Sequence, residues 1–163
     1  MSASVEKTWK TLEKPPYKTA AELLQALEGK GYRFSDWISD IALKPGFMDG
    51  SVEWPLRLAR VSLESLGFKG PTHLAEFYQA AKDKGYSCVP PQAALAIRFF
   101  YDEQPTGEWL RIATEMDRLI DSDGVPHLPK MGKALGKYYL ETYWSYPKAI
   151  FHPHNEFVMV APG

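Results

Sequence analysis

The sequence predicts an α+β protein, with an N-terminal part of about four helices packed on a C-terminal antiparallel β meander or small open barrel. Three observations predict it. Apolar residues recur at helical spacing as far as Pro90-Pro91. From Leu95 onward they alternate with polar ones, and the alternating runs are joined by short turns rich in Gly and Asp. The 163 residues suit a single domain, a helical layer over about 8–94 and a sheet over about 95–163.

The first helix is announced by Thr19-Ala20-Ala21-Glu22, a capping box whose hydroxyl and carboxylate satisfy free amides at a helix start. Leu23, Leu24 and Leu27 mark its inner face, and Gly29 or Gly31 ends it. Ser35-Asp36 opens a second, shorter helix carrying Trp37, Ile38 and Ile41, stopped by Pro45, and Lys44–Gly50 reads as a loop. A third helix is expected from near Glu53, with Pro55 in its first turn and Gly67 at its end. Its residues Leu56, Leu58, Ala59, Val61, Leu63 and Leu66 nearly encircle it, which would make it the most buried helix. Thr72 caps a fourth, Leu74–Lys84, and Pro90-Pro91 begins a short one.

After Leu95 the period changes. Leu95, Ile97, Phe99 and Tyr101 would take one face of a strand, and Ala96, Arg98 and Phe100 the other. Asp102–Gly107 is a turn, Glu108–Thr114 alternates again, and Asp121-Ser122-Asp123-Gly124 is a tight-turn signal. Further strands are expected over Val125–Met131, Lys137–Trp144 and Phe157–Val160, with Gly132 and Gly136 as punctuation.

Composition narrows the function classes. With 45% apolar and 13% aromatic residues the chain can build a core. A net charge of −1 gives no sign of the basic face that wraps nucleic acid. The opening MSASVEKTWK is not a secretory signal, no run is long enough for a membrane span, and the one cysteine, Cys88, forms no internal disulfide. A cytoplasmic protein without a membrane partner is the expectation.

Several constellations bear on chemistry. His152-Pro153-His154 places two imidazoles on one side of an extended segment, as two ligands of zinc or another divalent metal require, with His127, Glu156 or a turn aspartate as a third. The competing reading is a loop before the last strand with solvated histidines. The 121–124 turn is not a calcium loop, because Gly132 stands where a bidentate Glu is needed. Glu103, Glu108, Glu115, Asp121 and Asp123 lie near strand ends, where a pair across a cleft could do acid–base work, but edge-strand solubility explains the same residues more simply. Cys88 reads as inert packing, and the chain has no GxSxG, GxGxxG or HExxH. Thr72–Ala96 has the outline of a helix-turn-helix with few polar residues to read bases, and Lys69, Lys82, Lys84, Lys130, Lys133 and Lys137 form a basic rim only if the fold gathers them.

The aromatic cluster is the densest feature. Tyr138, Tyr139, Tyr143, Trp144, Tyr146 and Phe151 fall within fourteen residues, and strand alternation puts Tyr139, Glu141 and Tyr143 on one face with Tyr138, Leu140 and Trp144 on the other. One set can serve the core. The other, with Trp109, offers a binding surface made of Tyr139, Tyr143, Trp144, Tyr146 and Trp109, unless helices or a second copy cover it.

The segment Pro90–Gly124 carries Arg98, Tyr101, Gln104-Pro105, Gly107-Glu108-Trp109-Leu110, Ile112-Ala113 and Asp121-Ser122-Asp123-Gly124. With Leu66-Gly67-Phe68 and Phe157-Val158-Met159-Val160, it resembles an uncharacterised group of bacterial proteins with a QPxGEWLxIA motif, a DSDG turn and an FVFV-like final strand. The resemblance runs from about Thr8 onward and implies a shared fold. It brings no activity and no catalytic residues. The chain departs from the group at Val89-Pro90, where the group has Cys-Pro.

Together these readings predict a non-enzymatic binding or accessory protein without a cofactor, using the aromatic β-half surface on a protein partner or a second copy. The rival expectation is a small metal-dependent enzyme around His152 and His154. A third is a weak nucleic-acid binder through the lysine rim.

Overall fold

The computed structural model describes residues 8–50 and 52–163. Nine strands and four helices follow in the order β1 (Lys10–Leu12), α1 (Ala20–Gly29), β2 (Arg33–Phe34), α2 (Asp36–Ala42), β3 (Leu56–Ser62), β4 (Thr72–His73), α3 (Leu74–Asp83), α4 (Pro91–Ala96), β5 (Trp109–Ile112), β6 (His127–Ala134), β7 (Lys137–Trp144), β8 (Ile150–Phe151) and β9 (Glu156–Val160). The fold is α+β. Seven strands form one open sheet in the order β1-β3-β9-β5-β6-β7-β2, while β4 and β8 pair separately. Most pairings are antiparallel, but β5 with β9 and β2 with β7 are parallel. Among the described residues no helix is long and apolar enough to cross a membrane.

The capping box at Thr19 is formed: Thr19 Oγ1 accepts from the Glu22 amide at 3.1 Å, and Glu22 Oε1 accepts from the Thr19 amide at 3.1 Å. The helix expected from Glu53 is instead strand β3, an inner strand of the sheet between β1 and β9. Its all-round apolar character has a different cause from the one inferred. Leu56 and Leu58 face one layer of helices and Ala59 and Val61 the other side, so a strand buried on both faces reads like a buried helix. The strand expected from Leu95 is also overturned. Helix α4 runs through Ala96 and tightens into a 3-10 turn over Ile97–Phe100, and the run from Ala93 to Arg98 is buried throughout. A segment with no exposed side has no alternation of polar and apolar residues to reveal its period, and here even Arg98 is buried.

The sheet also draws β1, β2 and β3 from before Pro91, so helical and β segments interleave along the chain rather than dividing near Leu95. Helices α1, α2 and α4 bury one sheet face, with Leu12, Leu58, Leu110, Ile112, Met131, Leu140 and Val158 beneath them. On the opposite face only α3 packs, through Leu74, Phe77, Tyr78 and Ala81 onto Ala59, Val61, Phe157 and Met159. That helix covers β3 and β9 and leaves the β5–β6–β7 end of the same face without a helix. This uncovered area is where a site has room.

Candidate functional site

Strand register decides what stands on the uncovered face. Side chains paired across strands point the same way, and alternate residues along a strand share a face. Trp109 pairs with Gly132 and Gly132 with Tyr139; Arg111 pairs with Lys130, Lys130 with Glu141, and Leu128 with Tyr143. At the outer edge Arg33 of β2 pairs with Tyr139, and Lys137 lies two residues before Tyr139 on β7. The face therefore presents Trp109, Tyr139 and Tyr143 among Arg33, Arg111, Lys130 and Lys137, with Glu141 as its carboxylate.

The rings and cations touch. Trp109 and Tyr139 have centroids 6.1 Å apart, and Lys130 Nζ sits 4.9 Å from the Trp109 ring centre and 5.9 Å from that of Tyr143. Arg111 lies over Phe151 at 5.6 Å, and Phe151 meets Tyr143 at 5.5 Å, so Phe151 marks the border with the α3 core. Gly132 makes the arrangement possible. A Cβ built there would fall 2.4 Å from Trp109 Cδ2 and 2.5 Å from Cε3, so the indole lies flat across the bare strand. The sequence suggested that Gly132 punctuates two strands; it is inside β6.

Burial beside the rings holds the Arg111 guanidinium and the Lys130 ammonium below their ordinary values, with the Arg111 charge adding to the effect at Lys130, and burial raises the Glu141 carboxyl. Among the described residues none of Arg33, Arg111, Lys130 and Lys137 forms an ion pair, and the Arg111 Nε is buried with no hydrogen-bond partner. Glu141, across the strand pair from Lys130, is the one carboxylate among these four cations, so the face carries an excess of positive charge that favours an anion arriving from outside.

Of the five aromatic residues singled out in the sequence, the fold joins Trp109, Tyr139 and Tyr143. Trp144 points to the opposite face, 5.3 Å from the His127 ring, whose other neighbour is Trp37 at 5.1 Å. Tyr146 is exposed beyond the end of β7. Arg33, Arg111 and Gly132 are the site residues that sequence reasoning passed over. The signal for Arg111 was available in its shared alternation with Trp109.

The histidines do not converge. His127 is 1% exposed, with Nε2 donating to Asp121 Oδ2 at 2.8 Å and Nδ1 2.9 Å from Thr142 Oγ1. Asp121 Oδ1 also accepts from the amides of Asp123 and Val125, so one carboxylate ties the turn to β6. Burial pushes the Asp121 carboxyl up, but the hydrogen bonds from His127, Val125 and Asp123 outweigh it and hold it below the usual carboxylate value. His152 and His154 are exposed, their rings stacked at 6.2 Å. Among the described residues no group of three or more His, Cys, Asp or Glu side chains is placed to hold a metal ion.

The other candidates are framework or scattered. Arg60 bridges Glu108 at 3.0 Å and Glu156 at 2.6 Å, while Glu103 meets Lys10, and Glu115 meets Lys82. Burial pushes the Cys88 thiol up to about 12, away from nucleophilic use. Of the lysine rim, Lys82 is paired with Glu115, Lys133 sits over Tyr138 on the opposite face, and Lys130 and Lys137 stand on the uncovered one. Arg98, 0% exposed, gives its guanidinium to Gln104 Oε1 and to the carbonyls of Tyr101, Gly132 and Tyr139. Gln104 in turn donates to the Met131 carbonyl at 3.2 Å. Arg98, Gln104, Glu108 and Asp121 thus supply mainly internal bonds that hold the sheet on which Trp109 lies. Compared with models of protein families, with curated proteins and with solved structures, the chain matches none.

Proposed function

We propose that this protein is a non-enzymatic binding module whose docking surface is the uncovered face of β5, β6 and β7, and whose ligand brings flat or apolar groups together with negative charge. One observation carries the reading: Trp109, Tyr139 and Tyr143 stand with Lys130 stacked between two of them on the half of a sheet face that α3 does not cover. A core would not keep an excess of cations among these rings, and a face that served solubility alone would not expose Tyr143 to 38% beside a half-buried indole. The reading needs no cofactor, places the protein in the cytoplasm, and keeps the resemblance to the bacterial group as a matter of shared fold.

The test is a panel of ligands, comprising nucleotides, oligosaccharides, and acidic and apolar peptides, followed by amide NMR spectra of the protein. Shifts confined to residues of β5–β7 with Arg33 are expected for at least one anionic member. Shifts centred elsewhere, or around His152 and His154 on adding zinc, would contradict the reading.

A further inference from the structure

The uncovered face carries three rings and an uncompensated positive charge, and the two features have a common geometry. Tyr139 and Tyr143 are four residues apart on β7, about 13 Å at the rise of a strand. Trp109 lies in the row beside the paired cations Arg111 and Lys130, with Lys130 Nζ over its ring and Arg111 two residues along β5. Arg33 and Lys137 flank Tyr139 at the sheet edge, on β2 and at the start of β7. Four cations stand against the single carboxylate of Glu141, although the whole chain has a net charge of −1. The positive charge is therefore local, and it is interleaved with the rings rather than placed on a separate rim.

That interleaving selects among anionic ligands. An acidic peptide needs cations in a row and has no use for flat rings that offer stacking. A sugar uses the rings but leaves the cations without partners. A single-stranded nucleic acid uses both, because its bases stack on aromatic side chains while its phosphates pass the flanking charges. A duplex hides its base faces and would leave the rings unused.

Resting on the docking surface proposed above, we infer that the face formed by Trp109, Tyr139 and Tyr143 with Arg33, Arg111, Lys130 and Lys137 binds a short single strand of nucleic acid, two or three bases stacking on the rings. The sequence alone gave this class little support, because its lysines looked scattered; the sheet register gathers two of them with two arginines.

Fluorescence anisotropy with labelled eight-nucleotide oligo-U and oligo-dT tests the inference, with a duplex and an eight-residue poly-Glu peptide as controls. Binding of at least one single strand is expected, falling steeply between about 50 and 200 mM salt. Replacement of both Lys130 and Lys137 by Gln should flatten the plot of log affinity against log salt by about 0.7 for each charge lost. Tyr143→Ala should weaken binding roughly tenfold, as loss of one stacked base does. Both variants replace exposed or half-exposed side chains, and a thermal melt matching the parent shows that they fold. Absence of binding to either strand, equal binding of the duplex or the peptide, or binding unchanged in both variants would each overturn the inference. If another ligand of the NMR panel still shifts the β5–β7 face, the docking surface stands and only the nucleic-acid assignment falls.

Discussion

Gly132→Ala probes the geometry on which the site depends. Gly132 lies inside β6 with no positive φ, so alanine is compatible with its backbone. On conformational grounds alone the substitution should stabilise by about 0.4–1 kcal/mol, because alanine restricts the unfolded chain. The new Cβ, however, would meet Trp109 Cδ2 at 2.4 Å, Cε3 at 2.5 Å and Cε2 at 2.7 Å. The indole would have to lift by about 1 Å to regain ordinary contact of ~3.5 Å. Overpacking of this kind costs about 1–3 kcal/mol. The net expectation is a loss of about 1–2 kcal/mol, a fall in Tm of roughly 3–6 °C for a domain of this size. In a Trp109→Ala background the clash is gone, and Gly132→Ala should then be neutral or raise Tm. Urea melts of the four proteins give the coupling, expected near 2 kcal/mol. Equal effects of Gly132→Ala in both backgrounds would refute the flat placement of Trp109, and with it the site.

Three further outcomes follow from the framework. Arg98→Ala leaves the Gln104 side chain and the carbonyls of Tyr101, Gly132 and Tyr139 without their donor and opens a cavity, so a loss of about 3 kcal/mol or more is expected by urea melt, with Arg98→Met losing less. Leu135 is 91% exposed at the tip of the β6–β7 hairpin with φ of 52°, followed by Gly136 at 74°; Leu135→Asn gives the Asn-Gly pair such a turn favours and should stabilise by about 0.5–1 kcal/mol, visible as a higher Tm. Because the Asp121 carboxyl is held below its unfolded value, its contribution to stability is fully present above about pH 4 and is lost as pH falls through the folded value. In Asp121→Asn, melts recorded from neutral pH into acid should show a shallower acid limb than the parent; an unchanged limb would contradict the depressed value.

Local signals and non-local ones fared differently. Helix α1 was legible because its capping box is a four-residue device, and α3 because Leu74, Phe77, Tyr78 and Ala81 form one stripe. Strand β3 was not, since burial on both faces erases alternation, and the same loss of contrast disguised the Ala93–Arg98 run. The parallel pairings of β5 with β9 and β2 with β7 join segments distant in sequence, and no local period encodes them. Alternation placed Tyr139 and Tyr143 on one face of β7, yet the arrival of Trp109 beside Tyr139 depended on the register through Gly132. His127 was proposed as a metal ligand from its residue type; the fold instead closes it between Trp37 and Trp144 and occupies both nitrogens. Arg98 was expected on the second face of a strand with Ala96 and Phe100, and its fork of donors is instead spent on carbonyls in the core.

The central claim is that the rings and cations of the β5–β7 face serve a ligand rather than the fold. The most direct measurement takes one variant, Tyr143→Ser with Lys130→Gln, and reads its Tm and its affinity for labelled oligo-U side by side. The account predicts a Tm within about 2 °C of the parent, as for substitutions away from the core, with binding reduced at least tenfold. A Tm lowered by 10 °C or more with affinity retained would contradict it, because the face would then belong to the core.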